Sequence, residues 1–482
     1  MPRTLLAAAA LLLAATTAPA QKDAAVASAA AHAETEWPTA LKIWDAAEPG
    51  YQEKTSTKLL ADTAEKAGFR VKRGVAGIPT AVVAEFGSGK PVIGILGEYD
   101  ALPELSQEAV PFRKPRAAGN GYGHACGHHL FGVASLSAAT AIAEQIKAGT
   151  ITGTVRFYGC PAEEGGAAKA FMARAGLFDD CDTVLHWHPG NRNAAGDQSC
   201  LSRIAVKFRF HGTPAHAAAS PEKGRSALDA LLLTIHAVEL MREHTPDFTR
   251  LHHTITSGGG AANVVPEFAE GFFYVRHPKA EVVQKLYPRL LKCAQAGAIA
   301  TETKLEVVYL GGTMEILPND TLSQVAKKNL TELNDLKYDA EELAFAARLQ
   351  ETFPEKVSLE AIARVEDVSG KVGMGSTDVG DVSWVVPVTG FSTACWVPGT
   401  PGHSWQAVAC GGTTIGKKGM VLAARTLAAT AFDLFANPQL VAAAKAEHVR
   451  RLNGRKYTPL LEKDQPPPLD YRNAGRGKKE QN

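Results

Sequence analysis

The order of strand-like and helix-like segments changes near residue 203, and that change limits the fold more than any single motif. Before it the segments alternate: a helical pattern over about 37–67, then "TAVVAEF" and "PVIGILGEYD" as strands, then an alanine-rich helix over about 130–148. The strand "GTVRFYGCP", a helix near 166–175 and the strand "DTVLHWHP" continue the pattern. Such alternation predicts an α/β sheet covered by helices, with functional loops at strand ends. From about 203 the order becomes β-α-β-β-α-β, through "RIAVKFRFHG", "SALDALLLTIHAVELMREH", "HTITSGGGAANVVP", "AEGFFYVRHP", a helix near 280–297 and "TKLEVVYLGG". That is the split βαβ order of a small ferredoxin-like domain.

After "MEILPND" come helices, Gly-rich turns, short strands and a last alanine-rich helix. A chain of 482 residues also exceeds what one hydrophobic core usually organises. The expectation is an α/β protein whose large domain, residues 21–202 and 314–464, carries a central mixed sheet and is interrupted by a small α+β domain at 203–313. Arg3, the apolar "LLAAAALLLAA" and "APA" before Gln21 read as a cleaved leader over residues 1–20, implying an exported, periplasmic or extracellular protein. No later run reads as long and apolar enough to span a membrane. Residues 465–482, with three prolines and then "RNAGRGKKEQN", read as a disordered polar tail.

With 51 Lys plus Arg against 50 Asp plus Glu, the chain has no charge excess to draw it to nucleic acid or a membrane surface. "GSGK" is not a phosphate loop, because Ala84 stands where the first glycine is needed and Pro91 follows the lysine. Seven cysteines, an odd number, leave at least one unpaired in an oxidising compartment, and a metal-held thiol is one answer to that count.

Four clusters carry candidate chemistry. In "NGYGHACGHHLFG", residues 120–132, Gly123 and Gly127 permit turns that bring Cys126 and His128 to a common point, as zinc-type ligands or as a tight turn with a buried thiol. "CPAEEGG" places Glu163 beside Glu164; at a strand end one carboxylate can hold a metal while the other acts as general base, or the pair is an acidic helix start. In "LHWHPG" His186 and His188 share a strand face and Pro189 should end the strand. His403 lies in the loop "PGTPGHSW".

These stretches, with "HGTPAHAAASPEKGRSALDA" and "GGGAANVVPEFAEG", resemble in sequence and order the M20 metallopeptidase family, in its amidohydrolase or aminoacylase branch, from about residue 37 to 440. The resemblance implies a catalytic domain interrupted by a lid and dimerisation domain, and two divalent ions, zinc or manganese. It implies hydrolysis of the amide of N-acyl or N-aroyl amino acids. Cys126, His128, Glu164, His188 and His403 would be the ligands, with His186 the alternative to His188. Glu163 would be the general base. His216 in "GTPAHAAAS" resembles the lid histidine that reaches a partner's active site, in a homodimer or related heteromer, or it caps the following helix. Asn263 resembles a substrate-binding asparagine, and Arg276 could receive a substrate carboxylate or be a surface charge. The branch often has aspartate where this chain has His129, so another group must support the ligands; Asp100, Asp378 and Asp381 are the candidates. A dipeptidase or carboxypeptidase and a non-catalytic binding module are the alternative functions.

Overall fold

The computed structural model describes residues 18–472. Its strands are β1 (Arg70–Arg73), β2 (Val82–Ser88), β3 (Val92–Glu98), β4 (Gly153–Cys160), β5 (Thr183–Gly190), β6 (Asn193–Ala195), β7 (Ser202–His211), β8 (Arg250–Ser257), β9 (Phe268–His277), β10 (Lys304–Thr313), β11 (Val365–Asp367) and β12 (Val388–Ala394). Eight form a mixed sheet in the order β1-β2-β4-β3-β5-β12-β6-β11. Its centre is parallel: β3 pairs with β4 and β5, and β5 with β12. β1, β2 and β4 are joined antiparallel. "TAVVAEF" and "PVIGILGEYD" are therefore both strands of this sheet but not neighbours, since β4 lies between them.

Helices pack on the sheet through small residues. In His128–Lys147 every residue from His128 to Ala143 is buried, and alanines at close spacing let Thr414–Ala436 lie against it. Thr414–Ala436 corrects one expectation: it is long and apolar enough to cross a membrane. Its apolar stretch is 78% buried, against helices Ala18–Thr35, His128–Lys147 and Asp320–Leu333. The apolar face of a central core helix explains its composition.

The predicted helix over 37–67 is two helices, Trp37–Ala46 and Lys54–Lys66. Between them Ala47 adopts a left-handed conformation, and Gly50 packs so closely on Ala162 that no side chain would fit. The leader expectation falls mostly on residues outside those described; its last three positions open the helix Ala18–Thr35, whose Ala25, Ala29 and Ala33 are fully buried. β5 runs through Pro189 to Gly190 instead of stopping at the proline, because the Gly190 carbonyl accepts the N–H groups of Cys395 and Trp396.

Residues 465–472, expected as part of a disordered tail, are held on the domain. Gln465 donates to the Tyr309 carbonyl (3.3 Å), the Tyr471 hydroxyl to the Glu164 carbonyl (3.2 Å), and Tyr471 meets Tyr51 edge-on. One half-buried aromatic outweighs the polar composition that the tail shows as an average. Residues 473–482 lie outside those described.

The second sheet is antiparallel, in the order β10-β7-β9-β8. Helices Ala227–Arg242 and Ala280–Ala300 cover one face, over Val206, Phe208, Phe210, Phe273 and Val275. The two helices meet at Gly297, where an added Cβ would lie 2.4 Å from the Ala230 carbonyl oxygen and 2.5 Å from Thr234 Oγ1. Gly297→Val should force them apart at a cost of roughly 1–3 kcal/mol. Thermal unfolding should show a clearly lowered midpoint; an unchanged midpoint would contradict this packing.

Candidate metal centre

Parallel pairing brings three strand ends level. Glu98, the last residue of β3, pairs with Cys160, the last of β4. The turn after β4 therefore sets Glu163 and Glu164 beside Glu98 and Asp100, while His186 and His188 come from the end of β5. Ligands collected outside the carboxyl ends of parallel strands are the usual outcome of this architecture. Cys126 arrives from the turn before helix His128–Lys147. That turn needs Gly127, whose φ is +72° and whose Cβ position lies 2.6 Å from Pro189.

Three groups of donor atoms form, each with its members within 4.8 Å of one another: Cys126, His128 and His188; Cys126, Glu164 and His403; Glu98, His128 and Glu163. Cys126 belongs to two of them. Its Sγ is 3.4 Å from His188 Nε2, and His403 Nε2 is 3.3 Å from Glu164 Oε1. Asp100 holds the arrangement from behind: one oxygen lies 2.9 Å from His128 Nδ1, and the other accepts the Glu164 N–H at 2.9 Å. Lys169, fully buried, donates to Glu98 and to Asp378, both at 2.6 Å.

Burial and the Glu164 charge push the Cys126 thiol up, but the His188 and His128 imidazoles outweigh them and bring it to about 5. The adjacent Cys126 thiolate and Glu164 carboxylate raise His403 to about 11. Burial, then Glu98, Glu164 and Asp378, hold Glu163 well above the ordinary carboxyl range. His128 Nε2 lies 3.1 Å from Glu98 Oε2, and His403 Nε2 3.3 Å from Glu164 Oε1, but among the described residues neither contact has hydrogen-bond geometry, so His128 Nε2, Glu98 Oε2 and Glu164 Oε1 remain unsatisfied. Unpaired buried polar atoms are costly, and these converge on the donor groups, so the residues fit a divalent cation in both number and chemistry.

His188, not His186, stands in a donor group; His186 faces the same cavity from β5 but is pushed down to about 3 by burial and by His188. His129 points away from the groups, stacks on His124 and lies 3.0 Å from the Gly411 carbonyl oxygen. Asp100 supports the ligands, and Asp378 does so through Lys169. Asp381 accepts from Tyr457 and from the Met314 N–H. His216 and Asn263 lie together on the small domain, where the Ala217 N–H donates to the Asn263 carbonyl, but both are exposed and neither lines the cavity. His216 Nδ1 accepts from the N–H groups of Ala218 and Ala219, at 3.2 Å each.

The cavity, of about 590 Å³, lies between the two sheets, with Cys126, Glu163, Glu164 and His403 from the large domain and Arg203 and Arg276 from β7 and β9. Glu98, Lys169, Arg203 and Arg472 are additions to the predicted set. Glu98 had a signal, since it stands two residues before Asp100 in "GEYD", at the carboxyl end of β3. A lysine in an alanine-rich helix, an arginine in a charged strand and an arginine in a polar tail had none.

The family model for peptidase family M20/M25/M40 matches residues 94–406. The chain is 40% identical over 456 residues to a subunit of the p-aminobenzoyl-glutamate hydrolase of Escherichia coli, covering 89% of this chain and 95% of that one. It is 28% identical over 424 residues to the Xaa-Arg dipeptidase of Mus musculus, covering 84% and 86%. Among solved structures, a dinuclear metal-binding peptidase of the M20 family from Bacillus subtilis superposes with a TM-score of 0.55 at 19% identity, over 84% of this chain and 99% of that one. The strand-end site and these matches agree: the chain is a hydrolase that belongs to peptidase family M20/M25/M40.

Proposed function

We propose that this protein is a metal-dependent amidohydrolase that cleaves the amide of N-acyl or N-aroyl amino acids. Cys126, His128, Glu164, His188 and His403 would hold two divalent ions, zinc or manganese, with the thiolate favouring zinc. The observation that carries this reading is the pair of donor groups sharing Cys126, with Glu163 beside them. Two similar proteins support it, one a p-aminobenzoyl-glutamate hydrolase subunit and the other a dinuclear metal-binding peptidase.

Divalent ions bound there supply Lewis-acid polarisation of the scissile carbonyl and acidify water. Glu163 lies outside the five-ligand set, and its raised affinity for protons suits a base that takes a proton from water and returns it to the leaving amine. Arg276 faces the cavity with a fork suited to a carboxylate. His216 and Asn263, exposed and away from this chain's cavity, suit an assembly in which the small domain serves a partner's site, in a homodimer or a related heteromer. The first twenty residues suit export. Arg203 and Arg276 would repel a cationic side chain, which separates this reading from an Xaa-Arg dipeptidase.

The test is hydrolysis of p-aminobenzoyl-glutamate by the purified chain after chelation and after return of zinc or manganese. Activity should follow the metal, and Glu163→Gln should keep its metal while losing about 10²- to 10⁴-fold in rate. A metal-loaded enzyme that instead requires a free α-amino group on its substrate would be a dipeptidase, and an active Glu163→Gln would remove the base.

A second outcome follows from charge. With the His403 imidazole raised to about 11 and the Cys126 thiol lowered to about 5, the metal-free site near neutral pH holds a thiolate and an imidazolium. Binding requires neutral imidazole, so uptake should release protons and affinity should rise with pH. Calorimetry in buffers of different ionisation enthalpy checks this; a proton count of zero contradicts it.

A further inference from the structure

The turn that carries Glu163 and Glu164 is held in a conformation its residues do not favour. Ala162 and Ala167 sit at φ of +53° and +55°, with Gly165 between them at +116°. Left-handed alanines are uncommon and persist only where surrounding contacts over-determine them. Groups from distant parts of the chain grip the backbone of this turn. Glu53 Oε1 accepts the Ala162 N–H at 2.8 Å, Asp100 accepts the Glu164 N–H at 2.9 Å, and the Tyr51 hydroxyl donates to the Gly166 carbonyl at 2.6 Å. The Glu164 carbonyl is taken by the C-terminal segment: the Tyr471 hydroxyl donates to it at 3.2 Å, and Arg472 Nη2 donates to the same oxygen. Residue 164 is thus held on both sides, its N–H by Asp100 and its carbonyl by Tyr471 and Arg472.

The turn and its surroundings leave a seat for these two residues. At Gly50 an added Cβ would lie 2.5 Å from the Tyr471 hydroxyl oxygen, and at Gly165 one would lie 3.2 Å from the Tyr471 ring. Tyr471 meets Tyr51 edge-on with ring centroids 5.8 Å apart, and the Arg472 guanidinium lies 4.9 Å from the Tyr471 ring centroid. The segment that leads there is anchored along its length. The Tyr309 hydroxyl donates to the Leu460 carbonyl at 2.9 Å, Arg174 Nη2 to the Gln465 carbonyl at 2.5 Å, and Gln52 Nε2 to the Leu469 carbonyl at 2.8 Å. These ties deliver Tyr471 and Arg472 to one carbonyl oxygen, on the residue whose side chain stands in a donor group with Cys126 and His403.

We propose that Tyr471 and Arg472 are positioning residues, a C-terminal strap that holds the Glu164 carbonyl and so sets the Glu163 and Glu164 carboxylates against the donor groups. The catalytic consequence rests on the amidohydrolase reading, in which Glu163 is the base and Glu164 a ligand; the grip on the turn does not. Without the two donors the peptide between residues 164 and 165 is free to rotate, and the strained alanines on either side can relax. A displacement of about 1 Å at a reacting group costs on the order of 10²-fold in rate.

The experiment uses the full chain in wild type, Tyr471→Phe, Arg472→Met, Arg472→Lys and the double variant Tyr471→Phe with Arg472→Met. Amide hydrogen exchange over residues 162–166 is followed by mass spectrometry in the chelated protein, and hydrolysis of p-aminobenzoyl-glutamate in the zinc-loaded protein. The double variant should exchange faster over 162–166 and not elsewhere in the large domain. Its kcat should fall about 10- to 100-fold while KM stays within about two-fold and metal content and melting temperature change little. Each single variant should lie in between, since the two donors share one acceptor, and Arg472→Lys should recover part of what Arg472→Met loses.

Unchanged exchange over 162–166, or faster exchange there at unchanged kcat, would overturn the inference and leave the amidohydrolase reading standing. So would a raised KM at constant kcat, which would make Arg472, on the cavity wall, a substrate contact instead. Faster exchange throughout the large domain with a lowered melting temperature would also overturn it, marking a segment that only stabilises the fold. If wild type hydrolyses nothing yet exchange over 162–166 depends on Tyr471 and Arg472, the reaction assignment falls and the strap stands. Unchanged exchange together with no hydrolysis would remove both.

Discussion

The Asp100 carboxylate joins the two halves of the site. One oxygen meets His128 Nδ1 and the other takes the Glu164 backbone N–H, both at 2.9 Å. His128 opens a helix of the large domain and Glu164 belongs to the turn after β4, so these two bonds fix the distance between segments that are otherwise separate in the chain. The same contact turns the other nitrogen of His128 toward Glu98, 3.1 Å away, and the donor groups. A buried carboxylate behind a histidine is how proteins set the orientation and basicity of a ligand. Here it also sets the second arm, and the position of Glu163 depends on it through the chain.

Charge is divided across the cavity. Glu98, Asp100, Glu163, Glu164 and Asp378 converge on the large domain, with Lys169 as the buried ammonium that answers two of them. Repulsion among these carboxylates is one reason that Glu163 and Asp378 are raised, after burial itself. The excess of negative charge is what a site for cations requires. The small sheet presents the opposite sign through Arg203 and Arg276, and the last described residue, Arg472, adds a third guanidinium that donates to the Glu164 carbonyl. The N-terminus of helix His128–Lys147, just after Cys126, favours the thiolate in the same direction as the imidazoles do.

Much of this was legible in the sequence because it depends on local pattern. The shift from alternating strands and helices to β-α-β-β-α-β follows from hydrophobic periodicity, and both sheets follow from it. Cys126, Glu163, Glu164 and His403 sit in turns, His128 opens a helix and His188 lies near the end of β5, and glycine or proline stands beside each of these stretches. What stayed hidden depends on contacts between distant segments. Lys169 looks like any helix lysine until the fold places it between Glu98 and Asp378. Arg203 looks like Lys207 or Arg209 until pairing shows that no carboxylate among the described residues forms a salt bridge with it. The tail reads as polar by composition, yet Tyr471 decides where it lies. The helix Thr414–Ala436 reads as ordinary beside leucine-rich spans, but three helices bury it.

The proposed function requires the Cys126 thiolate to be shared between two ion sites. Metal content of the purified chain, measured by mass spectrometry after equilibrium dialysis against zinc or manganese, tests it directly in wild type and in Cys126→Ala. Wild type should hold two ions per chain and the variant should lose metal at both sites, with the fold retained by circular dichroism. A wild-type chain that binds no ion, or a variant that keeps its full complement, would contradict it.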